Sequence, residues 1–180
     1  MTHIRSFPPI ENPQATVLIL GSMPGKASLK AYEYYAHPRN AFWSIMGELV
    51  GANPNLAYQA RMEKLKSAGI ALWDVLACCA RDGSLDADIV EDSILPNDFK
   101  TFFLTHRNIS HVFFNGTMAE KCFFKYVLPS LETNAMNFHR LPSTSPAHAG
   151  KNYQQKLKAW KTIIQARCCP EIYENSSLIG

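Results

Sequence analysis

Five stretches of this sequence combine residue types that could do chemistry together. The first is Gly21-Ser22-Met23-Pro24-Gly25-Lys26-Ala27-Ser28, two glycines around a proline. Such a loop lets backbone approach a ligand closely and turns its amides toward an anion. It equally suits a plain turn from strand to helix. It is not a Walker loop, which needs Gly-Lys-Ser/Thr after a four-residue gap, and it is not a dinucleotide fingerprint. The second, Tyr34-Tyr35-Ala36-His37-Pro38-Arg39-Asn40-Ala41-Phe42-Trp43, is dense in aromatics with a cation and an amide among them. Aromatic rings stack on an unpaired nucleobase at about 1–3 kcal/mol each. An amide such as Asn40 can hold a water or read a base edge. The plainer alternatives are that Trp43 packs the start of a helix and that Asn40 caps it. The third is Asp74 alone, and the fourth is Asn115-Gly116-Thr117. The fifth, Pro142-Ser143-Thr144-Ser145-Pro146-Ala147-His148-Ala149, is hydroxyl-rich and stiffened by two prolines. Serine and threonine hydroxyls commonly bind phosphate; a capped turn before the last helix would use the same residues.

The elements between these stretches place them. Ala15-Thr16-Val17-Leu18-Ile19-Leu20 is a short apolar run stopped by Gly21, the pattern of a strand buried on both faces. Gly69-Ile70-Ala71-Leu72-Trp73-Asp74-Val75-Leu76 and His111-Val112-Phe113-Phe114-Asn115-Gly116 repeat it, and residues 136–141 give a weaker fourth strand ending at Pro142. Helical spacing lies between: Phe42, Ile45, Met46, Leu49 and Val50 up to Gly51, then residues 56–68, 97–105 and 117–128. Tyr153, Leu157, Trp160 and Ile164 form a final stripe, with Lys151, Lys156, Lys158 and Lys161 on the surface around it. Strands alternating with helices predict an α/β fold with a central parallel sheet. Ligands of open parallel sheets bind beyond the carboxyl ends of the strands, and four of the five stretches fall at those ends.

The bulk numbers bound the rest. A chain of 180 residues predicts a single domain over 1–180, with its core at about 15–165. Hydrophobic residues make up 47% and charged residues 18%, enough for a true core. A net charge of +3 permits nucleic-acid binding without arguing for it. No apolar run is long enough to span a membrane, and Met1-Thr2-His3-Ile4-Arg5 lacks the apolar stretch of a secretory signal. The expected location is therefore cytoplasmic, on the nucleoid in a bacterium. Five cysteines at 78, 79, 122, 168 and 169 suit neither a disulfide framework nor a metal site. They predict reduced thiols, no metal and no cofactor. The segment from Arg167 to Gly180 has weak periodicity and is expected to pack on the domain or fray.

Taken in order, Gly-Ser-Met-Pro-Gly, then Tyr-Tyr-x-His-Pro-x-Asn-x-Phe-Trp, then Leu-Pro-Ser-Thr-Ser-Pro-Ala resembles the uracil-DNA glycosylase superfamily, in its hypoxanthine-DNA glycosylase branch (family 6). The resemblance covers about residues 15–165, and its middle motif is the specific one. It implies a three-layer α/β sandwich with a four-stranded parallel sheet between helices. It makes Asn40 the catalytic, water-positioning residue. Gly21, Ser22, Met23, Pro24 and Gly25 would line the base pocket, with Tyr35 or Phe42 as the stacking aromatic and Asp74 and Asn115 as base-reading candidates. Ser143, Thr144, Ser145, Pro146 and Ala147 would form the loop that presses on the DNA backbone and enters the duplex. His148 stands where this branch is expected to carry asparagine, so it would touch phosphate, the leaving base, or neither. The cysteine pattern does not match the branch that carries an iron–sulfur cluster.

The implied activity is monofunctional removal of a deaminated base, hypoxanthine or uracil, from double-stranded DNA. The base must first be flipped out of the stack. Asparagine is no general base at neutral pH; its carbonyl would hold a water and favour the positive charge developing on the sugar. No lysine in the motifs takes the nucleophile position of a bifunctional lyase, so hydrolysis alone is expected. The expected partner is damaged duplex DNA, bound by a monomer, with no membrane. Two rivals remain at this stage: a non-catalytic α/β module that binds nucleotides or single strands, and a small-molecule hydrolase of the same fold.

Overall fold

The computed structural model describes residues 2–131 and 136–168. Its centre is a four-stranded parallel sheet built from β2 (Val17–Gly21), β3 (Ile70–Asp74), β6 (His111–Asn115) and β7 (Asn137–Leu141), in the order β3-β2-β6-β7. All four strands expected from the apolar runs are therefore members of one sheet, joined by three parallel pairings. β2 is buried throughout because its side chains alternate between two cores. Val17 and Ile19 pack on one face with Phe42, Ile45, Trp160 and Ile163; Leu18 and Leu20 pack on the other with Phe99, Phe102, Phe114 and Phe123. This double burial leaves no polar face, which is why the strand reads as an unbroken apolar run.

Helices cover both faces. α1 (Lys26–Ala31) follows the glycine-proline loop. α2 (Phe42–Val50) buries Phe42, Trp43, Ile45 and Met46 and stops at Gly51, whose φ of 77° suits glycine. α3 (Tyr58–Ser67) is followed by Gly69 at φ 69°, the turn into β3. α4 (Phe99–Thr105) is capped by the Asp98 carboxylate, which accepts from the Thr101 amide at 3.0 Å. α5 (Thr117–Cys122) widens into a π-turn over Phe123–Val127 and a 3₁₀ turn at Leu128–Ser130, so the helix expected over 117–128 is not regular.

Two further features depart from expectation. The run ending at Leu76 is two strands, because the chain leaves the parallel sheet after Asp74. β4 (Leu76–Arg81) joins β1 (His3–Arg5) and β5 (Ile89–Pro96) in a separate antiparallel sheet of order β1-β4-β5. Both halves of that run are apolar and buried, so nothing in it marks the crossing. The final stripe is likewise two helices, α6 (Tyr153–Trp160) and α7 (Thr162–Cys168). The turn between them shifts the inward position from Ile164 to Ile163. Lys156, expected on the surface, is buried, and its ammonium donates to the Ser145 carbonyl at 3.2 Å.

Cys78, Cys79 and Cys122 are free thiols. Among the described residues no group of three or more His, Cys, Asp and Glu is placed to hold a metal ion, and no helix is long and apolar enough to cross a membrane. The tail beyond Cys168 lies outside the described residues.

Candidate active site

The carboxyl ends of the parallel strands open into one cleft of about 690 Å³. β2 delivers Gly21 and the loop to Ser28, β3 delivers Asp74, β6 delivers Asn115, and β7 leads into Ser143–His148. Gly21 and Asp74 are directly paired in the sheet. A Cβ on residue 21 would meet Asp74 Oδ1 at 2.5 Å and the Tyr35 hydroxyl at 2.8 Å. Glycine is thus needed here because a phenol and a carboxyl both approach its backbone.

The aromatic stretch forms a second wall. Tyr34 is a core residue whose hydroxyl donates to the Pro8 carbonyl at 3.1 Å, and its own carbonyl takes the Trp43 indole N–H at 2.7 Å. Tyr35 has φ 53°, a left-handed conformation that costs a non-glycine residue energy. The turn swings its ring over Phe42, stacked at 4.1 Å between centroids. Tyr35 lines the cleft; Phe42 is 0% exposed and lies behind it. Of the two expected stacking aromatics, Tyr35 is therefore the one presented, and Phe42 supports it. The Tyr35 hydroxyl is buried beside the Asn115 side chain, without a well-formed hydrogen bond. Burial, with the Asp74 charge second, holds it far above the ordinary tyrosine range, so it stays neutral.

Asn40 lines both this cleft and an adjoining hollow of about 290 Å³ that includes Arg39, Ser44, Lys151 and Lys156. Its Oδ1 accepts from the Phe42 main-chain N–H at 3.0 Å, and the Asn40 main-chain N–H donates to the His37 carbonyl at 2.8 Å. Ala41 holds the cap position and the helix begins at Phe42, so Asn40 stands one residue before the cap. Asn40 is therefore not the N-cap itself, yet one lone pair of its Oδ1 orders the turn into the helix, which fixes the side-chain amide in place at the cleft.

The hydroxyl-rich loop is tied down at its base and free at its tip. Asn115 Nδ2 donates to Thr144 Oγ1 at 2.9 Å while its Oδ1 accepts from the Thr144 amide at 2.9 Å. The Thr144 carbonyl takes the Ala41 amide at 3.0 Å, and the Pro142 carbonyl takes the Trp160 indole N–H at 3.0 Å. Thr144 is 1% exposed, so it anchors the loop and does not face DNA as expected. Asn115, expected to read a base, uses both ends of its amide to hold that anchor. Ser143 and Ser145 hydroxyls accept from the amides two residues on, and Pro146, Ala147 and His148 stand exposed beyond them. Gly116, at φ 96°, leaves room for Ser143, whose Cβ a side chain there would meet at 2.9 Å.

A charged group lies beneath the glycine loop. Arg81, 2% exposed, donates to the Pro24 carbonyl, while its Nε and Nη1 are buried without partners. Asp86 accepts from the Ser22 hydroxyl at 2.6 Å, and burial pushes its carboxyl up. The Lys26 amide donates to Ser84 Oγ at 3.1 Å. Ser84, Leu85, Asp86 and Ala87 line the cleft with the glycine loop they support.

The family model described as the uracil DNA glycosylase superfamily matches residues 8–166. The chain belongs to the uracil DNA glycosylase superfamily. Within it, the chain falls in the hypoxanthine-DNA glycosylase branch. It is 32% identical over 158 residues to a protein named hypoxanthine DNA glycosylase from Methanosarcina acetivorans, covering 86% of this chain and 96% of that one. A protein of the same name from Methanosarcina barkeri is 38% identical over 113 residues, 62% of this chain and 70% of that one. The solution NMR structure of a provisionally named uracil DNA glycosylase from Methanosarcina acetivorans superposes with a TM-score of 0.76 at 30% identity, covering 93% of this chain and all of that one.

In this glycosylase the cleft gathers every sequence-predicted site residue except the buried Phe42. The residues that sequence reasoning missed are Ser84–Ala87 at the cleft and Arg81 beneath it, while Lys26, His37 and Arg39, in stretches singled out but given no role of their own, stand at the cleft wall. The Asp82-Gly83 turn signal and the acidic run Asp82, Asp86 and Asp88 were the available clues.

Proposed function

We propose that this DNA glycosylase acts as a single, monomeric domain that hydrolyses hypoxanthine, and uracil as a second substrate, from double-stranded DNA. The observation that carries the reading is the convergence of Asn40, Tyr35, Gly21 and Asp74 on one cleft whose rim is the exposed Pro146-Ala147-His148 tip. The tip enters the duplex at the lesion while Ser143 and Ser145 press on the phosphodiester. The Thr144 carbonyl accepts from the main-chain N–H of Ala41, the residue after the catalytic asparagine, and so couples that loop to the turn carrying Asn40. Loop docking on DNA and placement of Asn40 are therefore one event.

The flipped base slides between the glycine loop and the Tyr35 ring. As its bond to the sugar stretches, positive charge grows on the sugar and negative charge on the base. Asn40, with one lone pair committed to the Phe42 amide, turns its remaining amide groups to a water beneath the sugar. It orients that water and its dipole favours the sugar cation; it removes no proton in the rate-limiting step. Both substrates carry a carbonyl where the parent base carried an amine, and the names of the relatives in this branch support hypoxanthine as the first of the two.

Three duplexes test this: one with a single deoxyinosine, one with a mismatched deoxyuridine, and one undamaged. Incubation followed by alkali should break only the two damaged strands, the deoxyinosine strand faster, and omission of alkali should leave all intact. Breaks without alkali would contradict simple hydrolysis. Damaged duplexes that are bound and left whole would favour the non-catalytic module.

A further inference from the structure

Asp74 is poorly placed to carry a charge. Its side chain is 3% exposed and Oδ2 is buried with no hydrogen-bond partner. The Asn97 amide reaches the main-chain carbonyl of Asp74 at 2.8 Å and leaves the carboxyl untouched. None of the ion pairs among the described residues includes it. Arg81, the cation in its field, spends its Nη2 hydrogen bond on the Pro24 carbonyl. A carboxylate stripped of water without compensating donors is strongly disfavoured and takes up a proton instead.

We propose that Asp74 works as a neutral carboxylic acid in the base cleft, donating its proton in a hydrogen bond to the extruded base. This deepens the glycosylase reading and rests on it. Asp74 lines the cleft at the end of β3, and its sheet partner Gly21 puts no side chain over it. A protonated carboxyl offers one donor and one acceptor side by side. Hypoxanthine and uracil each present the complement, a ring N–H beside a carbonyl. The donor matters most as the bond to the sugar breaks, because the carbonyl it touches then gathers negative charge. The proton stays on Asp74 throughout; the departing base takes its own from water after release. An ionised Asp74 would repel the same base.

Burial, then the neighbouring Asp86, push the carboxyl up to about 8, with Arg81 pulling the other way. Excision should therefore be fastest where Asp74 is protonated and fall as pH rises through that value. The other titratable groups that face it are Asp86 and Arg81 from the antiparallel side and Tyr34, Tyr35 and Tyr58 from the aromatic wall. Burial keeps all three tyrosines neutral over this range. His37, Arg39, Lys26 and His148 line the same cleft and are shared by wild type and any Asp74 variant.

The test uses the full chain in two measurements. Carboxyl ¹³C resonances of the DNA-free protein, followed from about pH 4 to 9, should include one that titrates near 8 and is missing from Asp74→Asn. Single-turnover excision from the deoxyinosine duplex should fall about tenfold between about pH 7 and 9 in wild type. Asp74→Asn should be slower at pH 7, since an amide is the weaker donor, and should lose the fall. A resonance of Asp74 that titrates in the ordinary carboxylate range overturns the proposal, whatever the substrate is. A wild-type rate that is level to pH 9, or a fall that persists in Asp74→Asn, overturns it as well. Wild type that excises neither base at pH 7 instead refutes the substrate reading, while the resonance still decides the state of the acid.

Discussion

The two sheets of this glycosylase do different work. The parallel sheet is buried on both faces and delivers Gly21, Asp74, Asn115 and the loop after Leu141 to one edge. The antiparallel sheet is partly exposed, with β5 carrying no buried residue, and it leads to the cleft through residues 84–87 just beyond β4, with Arg81 beneath the glycine loop. One sheet brings most of the proposed site residues to the cleft; the other leads to Arg81 and Asp86, the charged neighbours of Asp74. Asp74 belongs to both descriptions. It ends a parallel strand, and burial pushes its carboxyl up, with Asp86 adding to that push and Arg81 opposing it from across the crossing at Val75. The lesson is that a site can be positioned by the most regular part of a fold and tuned by its least regular part.

The comparison breaks most visibly at the parallel edge. Gly21→Ala places a methyl group within 2.5 Å of Asp74 Oδ1 and 2.8 Å of the Tyr35 hydroxyl. Both must move, and misplacement on the scale of 1 Å costs about 10²-fold in rate. Single-turnover excision should drop by that order while the melting temperature of the folded protein stays measurable and cooperative. A wild-type rate would show that the cleft floor is not where the base sits.

A smaller effect is expected at the rim. Ser143→Ala with Ser145→Ala removes two hydroxyls beside the backbone path, and duplex affinity should weaken about tenfold, from roughly 0.5–1.5 kcal/mol for each hydrogen bond lost. The preference between hypoxanthine and uracil should hold, and the slope of affinity against salt should mark phosphate contacts in the wild type. Unchanged affinity with an altered base preference would move these serines from the backbone to the pocket.

The antiparallel side predicts the mildest change. Asp86→Asn keeps an acceptor for the Ser22 hydroxyl but removes a charge that pushes the Asp74 carboxyl up. The alkaline fall in excision should therefore begin at lower pH, by up to about one unit. A shift to higher pH would show that the field at Asp74 comes from elsewhere.

The same division explains what the sequence discloses. Doubly buried strands such as Val17–Gly21 and His111–Asn115 show as apolar runs because both faces demand hydrophobic residues. Their polar endings then mark the site directly. β5 offers no such mark: Ile89–Pro96 mixes charged and apolar residues and pairs through register shifts with β4. Residues 84–87 are short, polar and turn-like, and only tertiary folding brings them against the glycine loop. Thr144 and Asn115 carry the chemistry of contact residues, yet their partners turn out to be each other. That pairing spans 29 positions and no local pattern encodes it.

Asn40→Ala tests the central claim most directly, with melting temperature and single-turnover excision measured on one preparation. The amide both closes the turn onto the Phe42 N–H and faces the cleft. Its loss should lower stability by about 1 kcal/mol as a missing cap does. It should also cut excision from a deoxyinosine duplex by about 10²-fold or more, the scale of one preorganised catalytic group, with little change in affinity for damaged DNA. A lowered melting temperature with a wild-type excision rate would contradict the account, leaving Asn40 a residue that only orders the helix start and the water without its holder.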